Sequence, residues 1–456
     1  MSLRFTSRFF STTTAFRHIG KMADRCYIVP PHLLEAIAES THNDEAIRES
    51  ARASLVSREQ VSESRKAVFA ALTLPHGYRR DAAIESRRQI IPEGMLTHIA
   101  ESESVDDETR ARAKRDLLHL QTLFSKIKTS QEGATDETQG LAAAKPKDSV
   151  YRAVYDAKHA TDESQLPGKM MRAEGEKASK DKAVNDAYDN VGHVLAFYKE
   201  KFDWKSLDNK NADVISSVHY GRQYENACEY CPMYQKKPSL LIIVVWDPQE
   251  RQMVYGDGGS FLNNFTGCID VIGHEITHAV TEHTSPLDYQ GQSGALNEHI
   301  SDVFGIMIKH YVFNTKAADA DWLIGEDCIL PGVKGVALRS MKAPGTAYDD
   351  PRFGKDPQPD SMAGYKETAQ DNGGVHLFSG IPNKVFYSVS IAFGGYSFEK
   401  AGQIWWKTMN GGKISPRCNF LQFADVTVET AQELYGEDAA KTVRKAWNDV
   451  GVTRGV

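Results

Sequence analysis

The chain has 456 residues, with 54 Lys plus Arg against 61 Asp plus Glu for a net charge of -7, and 41% of it is hydrophobic. That is the balance of a globular protein of two or three domains, and its acidic sign argues against a nucleic-acid binder, which needs a basic surface to neutralise phosphates. The longest apolar run, Leu240 to Trp246, is far below the roughly 18 residues of a membrane span, so none is expected.

Residues 1–21 contain Arg4, Arg8, Arg17 and Lys21 with many Ser, Thr and Phe, and no acid precedes Asp24. This is the composition of a mitochondrial transit peptide, which leaves mitochondrial import open, and Met22 as the working start is an equal alternative. No apolar core of a secretory signal is present. Six cysteines with a single CxxC, Cys228 and Cys231, are too few for a disulfide scaffold or a four-cysteine zinc site.

Residues 22–142 hold an internal repeat at an offset of 62. Ile28-Val29-Pro30-Pro31-His32-Leu33-Leu34 through Ser40 matches Ile90-Ile91-Pro92-Glu93-Gly94-Met95-Leu96 through Ser102, and the match runs without gaps to Leu55 and Leu117. Each copy reads as an extended Pro-led entry followed by Leu and Ile at helical spacing, with too little apolar surface to fold well alone. Residues 127–148, rich in Thr, Gly, Ala, Lys and Asp, read as an exposed linker.

From residue 143 to 285 the pattern is one of short strands and turns, with Val150 to Tyr155, Val214 to Tyr220 and Gln252 to Tyr255 as strands, ending in a helix around Asp270 to Val280. Residues 286–456 are mostly helical. Strands first and helices second give an α+β unit of two lobes with a cleft between them.

The chemistry-bearing residues lie at that junction. His274-Glu275-Ile276-Thr277-His278 follows the HExxH spacing, which puts both imidazoles on one helical face one turn apart, with Glu275 beside them. A catalytic zinc needs a third protein ligand and leaves its fourth position to water. Glu298, 24 residues after His274, supplies it from a second helix, and Asp302 one turn later is placed to accept from a ligating imidazole.

With these residues in hand, the sequence closely resembles the thermolysin family of zinc metalloendopeptidases. The matching blocks are Ser217-Val218-His219-Tyr220-Gly221, Met253 to Gly258, the two ligand helices, Leu338-Arg339-Ser340-Met341 and Asp371-Asn372-Gly373-Gly374-Val375-His376. The Pro30-Pro31-His32-Leu33-Leu34 stretch resembles the protealysin-type branch, whose prosegment is short; here it is duplicated.

The resemblance implies a two-lobed thermolysin-like fold, with the zinc helix between a strand-rich and a helical lobe. It implies an endopeptidase made as a zymogen, with one catalytic zinc on His274, His278 and Glu298. Glu275 would be the general base and then the acid. His376 and Tyr289 would donate to the developing oxyanion, and Asp371 would orient His376. Arg339 would receive the substrate backbone carbonyl and Asn226 the backbone amide. Phe265, Val271 and Leu338 would wall an apolar pocket that selects cleavage before bulky hydrophobic residues. The partners implied are peptide or protein substrates and the chain's own prosegment, removed near residues 131–148; a monomer is expected. Lacking a secretory leader, such a protein would be intracellular or leave the cell by a leaderless route.

Three features depart from the family pattern. Asp270, Asp321 and Glu326 match carboxylates that hold calcium in family members, but the fourth position is Lys309, and an ammonium there argues against calcium. Cys26 before the first Pro-Pro is either an ordinary buried cysteine or a thiolate able to reach the zinc. Finally, Asn226-Ala227 is separated from Trp246 by Cys228 to Val245, eighteen residues where the family has one; a loop, an added hairpin and a retained intron give the same sequence. Two function classes stay open: an active endopeptidase, and a zinc-binding but catalytically poor homologue acting as a binding or inhibitory protein.

Overall fold

The computed structural model describes residues 29–49, 51, 52, 55, 149–160, 166–220, 252–258, 262–352 and 354–453, and the backbone alone at 244–247. The leader-like stretch, Cys26, the second copy of the repeat and Asn226 lie outside the described residues.

The first element is α1 (Pro31–Glu39), with Pro31 in its first turn, where a missing N–H costs nothing. The strand-rich lobe follows. β1 (Arg152–Asp156) pairs antiparallel with β2 (Lys169–Ala173) and parallel with β3 (Val214–Val218). Beyond β3 the sheet continues through β5 (Gln252–Tyr255) to β4 (Val244–Asp247), in the order β2-β1-β3-β5-β4. Among the described residues β4 is thus the last strand of the sheet, pairing Val244 with Tyr255 and Asp247 with Gln252.

Between β2 and β3 runs α2 (Lys182–Phe202), a helix of 21 residues that the reading of this lobe as strands and turns overlooks. Its signals are present in the sequence. Asp181 caps it by accepting from the Ala183 and Val184 amides, and Val184, Ala187, Val191, Val194 and Tyr198 form one buried stripe at helical spacing. The stripe packs on the helix Ile269–Thr284, where the Tyr198 hydroxyl lies 2.7 Å from Thr277 Oγ1.

α3 (Ile269–Thr284) and α4 (Gly291–Val312) form the centre of the molecule. Every residue of α3 from Ile269 to Thr281 is buried, so the polar side chains it carries there must find partners inside the protein. The two helices approach closely because Gly305 has no side chain: a Cβ there would sit 2.5 Å from the Asp270 carbonyl oxygen. This contact brings the ligands of one helix to face those of the other.

Two short ladders follow, β6 (Leu323–Ile324) with β7 (Arg339–Ser340) and β8 (Asp349–Asp350) with β9 (Gly354–Lys355). The chain ends in α5 (Asp371–Phe378), α6 (Gly380–Phe393), α7 (Lys400–Asn410), α8 (Phe420–Tyr435) and α9 (Glu437–Asp449). An aromatic seam joins the lobes, with Tyr198 stacked on Phe304 at 5.5 Å and Phe202 on Trp406 at 4.9 Å.

Candidate active site

α3 places His274 and His278 one turn apart, and their Nε2 atoms lie 3.0 Å from each other. Each ring is fixed through its other nitrogen. His274 Nδ1 donates to Asp302 Oδ1 at 2.8 Å, and His278 Nδ1 donates to Asn297 Oδ1 at 2.8 Å. With both acceptors taking the Nδ1 proton, the neutral rings turn their Nε2 lone pairs toward each other at 3.0 Å, an arrangement that a cation held between them satisfies.

Glu298 completes the triangle from α4, with Oε2 3.6 Å from His274 Nε2 and Oε1 3.6 Å from His278 Nε2. Ligand bonds of about 2.0–2.1 Å in a tetrahedral site put neighbouring ligand atoms about 3.3 Å apart. Separations of 3.0 and 3.6 Å fall on either side of that value, so this donor set fits zinc. Among the described residues, this is the one group of three His, Cys, Asp or Glu side chains so arranged.

The electrostatics agree with the geometry. Burial, followed by the neighbouring His274, pushes His278 down to about 4. Burial works to raise the Glu298 carboxyl, but His376, His274, His278 and Arg339 outweigh it and hold it at about 2. Neutral imidazoles and an ionised carboxylate are the forms that bind a metal.

Asp302 does more than orient one ring. Its Oδ2 accepts from Arg339 Nε and from Asn383 Nδ2, each at 2.9 Å, and its Oδ1 accepts from Arg339 Nη2 at 2.7 Å. Although burial opposes it, the Arg339 guanidinium and the His274 bond hold this carboxyl well below the usual range. Arg339 itself is 2% exposed and clamped in a fork on Asp302. The structure thus places Arg339 beside the ligand helix, with Asp302 as the partner of its Nε and Nη2.

Glu275 is fully buried on α3 beside the two imidazoles, and burial together with its charge pushes the Tyr255 hydroxyl far above its ordinary value. On the other side of Glu298, the Tyr289 hydroxyl donates to Oε1 and lies 3.4 Å from His376 Nε2. His376 Nδ1 donates to Asp371 Oδ1 at 2.7 Å, while Asp371 Oδ2 accepts the His376 amide at 2.9 Å. The chain makes this return through Asn372, Gly373 and Gly374, all at positive φ, inside α5.

The remaining described sequence candidates are core residues. Phe265 sits in a short 3-10 turn ahead of α3, Val271 on the first turn of α3 and Leu338 directly before Arg339, all within the main buried cluster. Sequence reasoning misses Asn297, which orients His278, and Gln358, whose amide donates to the His376 carbonyl at 2.6 Å. Asn297 adjoins Glu298, and that place on the ligand helix is the signal that marks it; nothing near Gln358 does the same.

At the positions that match the carboxylate cluster, where calcium is not expected, Lys309 Nζ donates to Asp321 Oδ2, Glu326 Oε2 and the Leu323 carbonyl, each at 3.2 Å. His299, next to Glu298, is a core residue: its Nε2 accepts from Trp405 Nε1 and its Nδ1 donates to Asn383 Oδ1, both at 2.8 Å.

A two-lobed fold with a His2Glu metal centre, an acidic side chain beside it and paired donors opposite defines a zinc metallopeptidase. The profile of the thermolysin metallopeptidase catalytic domain matches residues 123–231 and 244–282, that of the thermolysin metallopeptidase alpha-helical domain matches 285–452, and that of the protealysin propeptide matches 88–132. The chain is 42% identical to protease PrtS of Photorhabdus sp. (strain Az29) over 80% of its own length and 91% of that protein. It is 40% identical to the extracellular metalloprotease of Pectobacterium carotovorum subsp. carotovorum, over 80% and 96% respectively. Among solved structures, the precursor of protealysin from Serratia proteamaculans superposes with a TM-score of 0.61 at 40% identity, covering 80% of this chain and 99% of that one.

The chain belongs to the thermolysin family of metallopeptidases and carries a protealysin-type propeptide. It is a zinc-dependent peptide hydrolase made as a precursor. The catalytic-domain match breaks after residue 231 and resumes at Val244, the first residue of β4, so the interruption seen in the sequence is also one relative to the family. No helix among the described residues is long and apolar enough to cross a membrane.

Proposed function

We propose that the chain cleaves internal peptide bonds on the N-terminal side of bulky hydrophobic residues, using one zinc on His274, His278 and Glu298. The observation that carries this reading is the 3.0 Å approach of two imidazole nitrogens whose outer protons are both committed to acceptors, with Glu298 across from them. Zinc bound there would polarise the scissile carbonyl and acidify a water. Glu275 takes the proton of the attacking water and passes it to the leaving amine. Tyr289 and His376 donate to the oxygen on which charge develops, and Asp371 keeps His376 in its donating orientation. Arg339, held by Asp302, and Asn226 receive the substrate backbone, and Phe265, Val271 and Leu338 wall the side-chain pocket.

The same reading divides the chain at 22–142 for prosegment and linker, 143–285 for the strand-rich lobe and 286–456 for the helical lobe, and takes the enzyme to be a monomer. Lys309 occupies the place of a calcium ion, since an ammonium with three oxygen acceptors supplies a charge there without a metal. Hydrolysis of casein and of a furylacryloyl-dipeptide by the purified protein, with and without a zinc chelator and with zinc restored, tests the proposal. Loss with the chelator and recovery with zinc are expected, and chelator-resistant hydrolysis would overturn it.

A further inference from the structure

α1 is seated on the catalytic unit. Leu33, Leu34, Ile37 and Ala38, with Val29 ahead of them, are at most 5% exposed and belong to the main buried cluster. The seat is the β8–β9 hairpin and its flank. His32 Nε2 lies 3.2 Å from the Tyr348 hydroxyl, Ser40 Oγ donates to the Pro351 carbonyl at 2.6 Å, and Asn43 Nδ2 donates to the Arg352 carbonyl at 2.6 Å. The hairpin is braced, with Arg352 paired to Asp350 at 2.7 Å. It leads within a few residues to Gln358, which holds the His376 carbonyl.

The seated helix belongs to the first copy of the repeat, whereas the propeptide profile matches residues 88–132, the second copy. The first copy is thus marked by its seat in the structure and the second by its likeness to the protealysin propeptide. At the offset of 62, the apolar contact residues Val29, Leu33, Leu34, Ile37 and Ala38 become Ile91, Met95, Leu96, Ile99 and Ala100, and Ser40 becomes Ser102. Two of the polar contacts do not carry over: His32 becomes Gly94 and Asn43 becomes Val105.

We propose that the two copies are alternative occupants of this one seat, with the first preferred and the second taking its place when the first is displaced. The preserved apolar positions give the second copy the same means of docking. Loss of the His32 and Asn43 hydrogen bonds, with Gly94 standing where the first copy has His32, makes it the weaker occupant by about 10–100-fold. A chain cut between the copies would then remain occupied, and full release would require loss of both. This rests on the reading of residues 22–142 as a prosegment, but not on hydrolysis.

The test uses the full chain carrying Glu275→Gln, with intact mass checked, and p-benzoylphenylalanine in place of the exposed Lys355 of β9. Irradiation of dilute protein, isolation of the single-chain product and peptide mapping report which copy occupies the seat. Crosslinks to residues 29–43 are expected in the parent. In Leu34→Asp with Ile37→Asp they should move to residues 91–105, and in His32→Gly with Asn43→Val they should divide between the copies. Crosslinks that vanish from both copies in the first variant, or stay on the first copy in both variants, would overturn the proposal. A failure of the chain to hydrolyse peptides would leave this readout unchanged, so the two readings fail separately.

Discussion

One carboxylate, Asp302, accepts from His274 at 2.8 Å and from the Arg339 fork at 2.7 and 2.9 Å. Arg339 and the first ligand are therefore positioned by the same buried group. Asp302→Ala should weaken zinc binding by roughly 10–100-fold, because His274 loses the acceptor that fixes its tautomer. It should also destabilise the fold by about 3–5 kcal/mol, since Arg339 is left charged, buried and without this partner. Competitive zinc titration and denaturant unfolding read the two effects, and an unchanged zinc affinity would remove Asp302 from the metal centre.

His376→Ala should lower kcat far more than it raises KM, because the bond from Nε2 to the substrate oxygen strengthens as charge develops. Steady-state kinetics on one peptide decides this. A change confined to KM would make His376 a residue that only binds substrate.

Lys309→Ala removes the cation from a cradle that contains Asp321, Glu326 and the Leu323 carbonyl. The two carboxylates are partly solvated, so the loss should be modest, on the order of 1–2 kcal/mol. Calcium should then restore part of the melting temperature of the variant beyond any effect it has on the parent. Equal calcium dependence of the two proteins would contradict the replacement of calcium by an ammonium.

A pH dependence follows from His219, whose Nδ1 donates to Asp257 at 2.6 Å and whose Nε2 donates to Asp181 at 2.9 Å. With both nitrogens donating to carboxylates the ring is cationic. The Asp257 bond, opposed by burial and aided by Asp181, raises it from 6.5 to about 9. Because the folded value lies above the unfolded one, this contribution to stability is complete below about pH 6.5 and fades as the pH rises through about 9. The melting-temperature difference between the parent and His219→Gln should therefore narrow between about pH 6.5 and 9.5; a constant difference would contradict it.

The parts of the site that the sequence reveals are those set by local spacing. HExxH on a helix forces His274 and His278 onto one face, and one further turn places Asp302 below Glu298, so these four residues are legible from spacing alone. Asn297 and Gln358 are not legible in that way. Their partners, His278 and His376, lie 19 and 18 residues away, and the contact arises from how α3, α4 and the 356–358 turn pack. Arg339 shows the same limit: the motif marks it as functional, while its fork on Asp302 depends on the meeting of β7 with α4. In the fold, α2 escapes the sequence reading although its Asp181 cap and apolar stripe are present, because its flanking segments read as strands. β1, β3 and β5 and the helical character after Ile269 follow from period and composition, whereas β2 is not among the strands that the sequence reading finds.

The chemistry depends most on the division of labour between Glu275 and the three ligands. The most direct measurement is zinc content and hydrolysis of one peptide by Glu275→Gln beside the parent. One zinc per chain with hydrolysis reduced by orders of magnitude is the result expected of a general base that is not a ligand; full zinc occupancy with hydrolysis near that of the parent would contradict it.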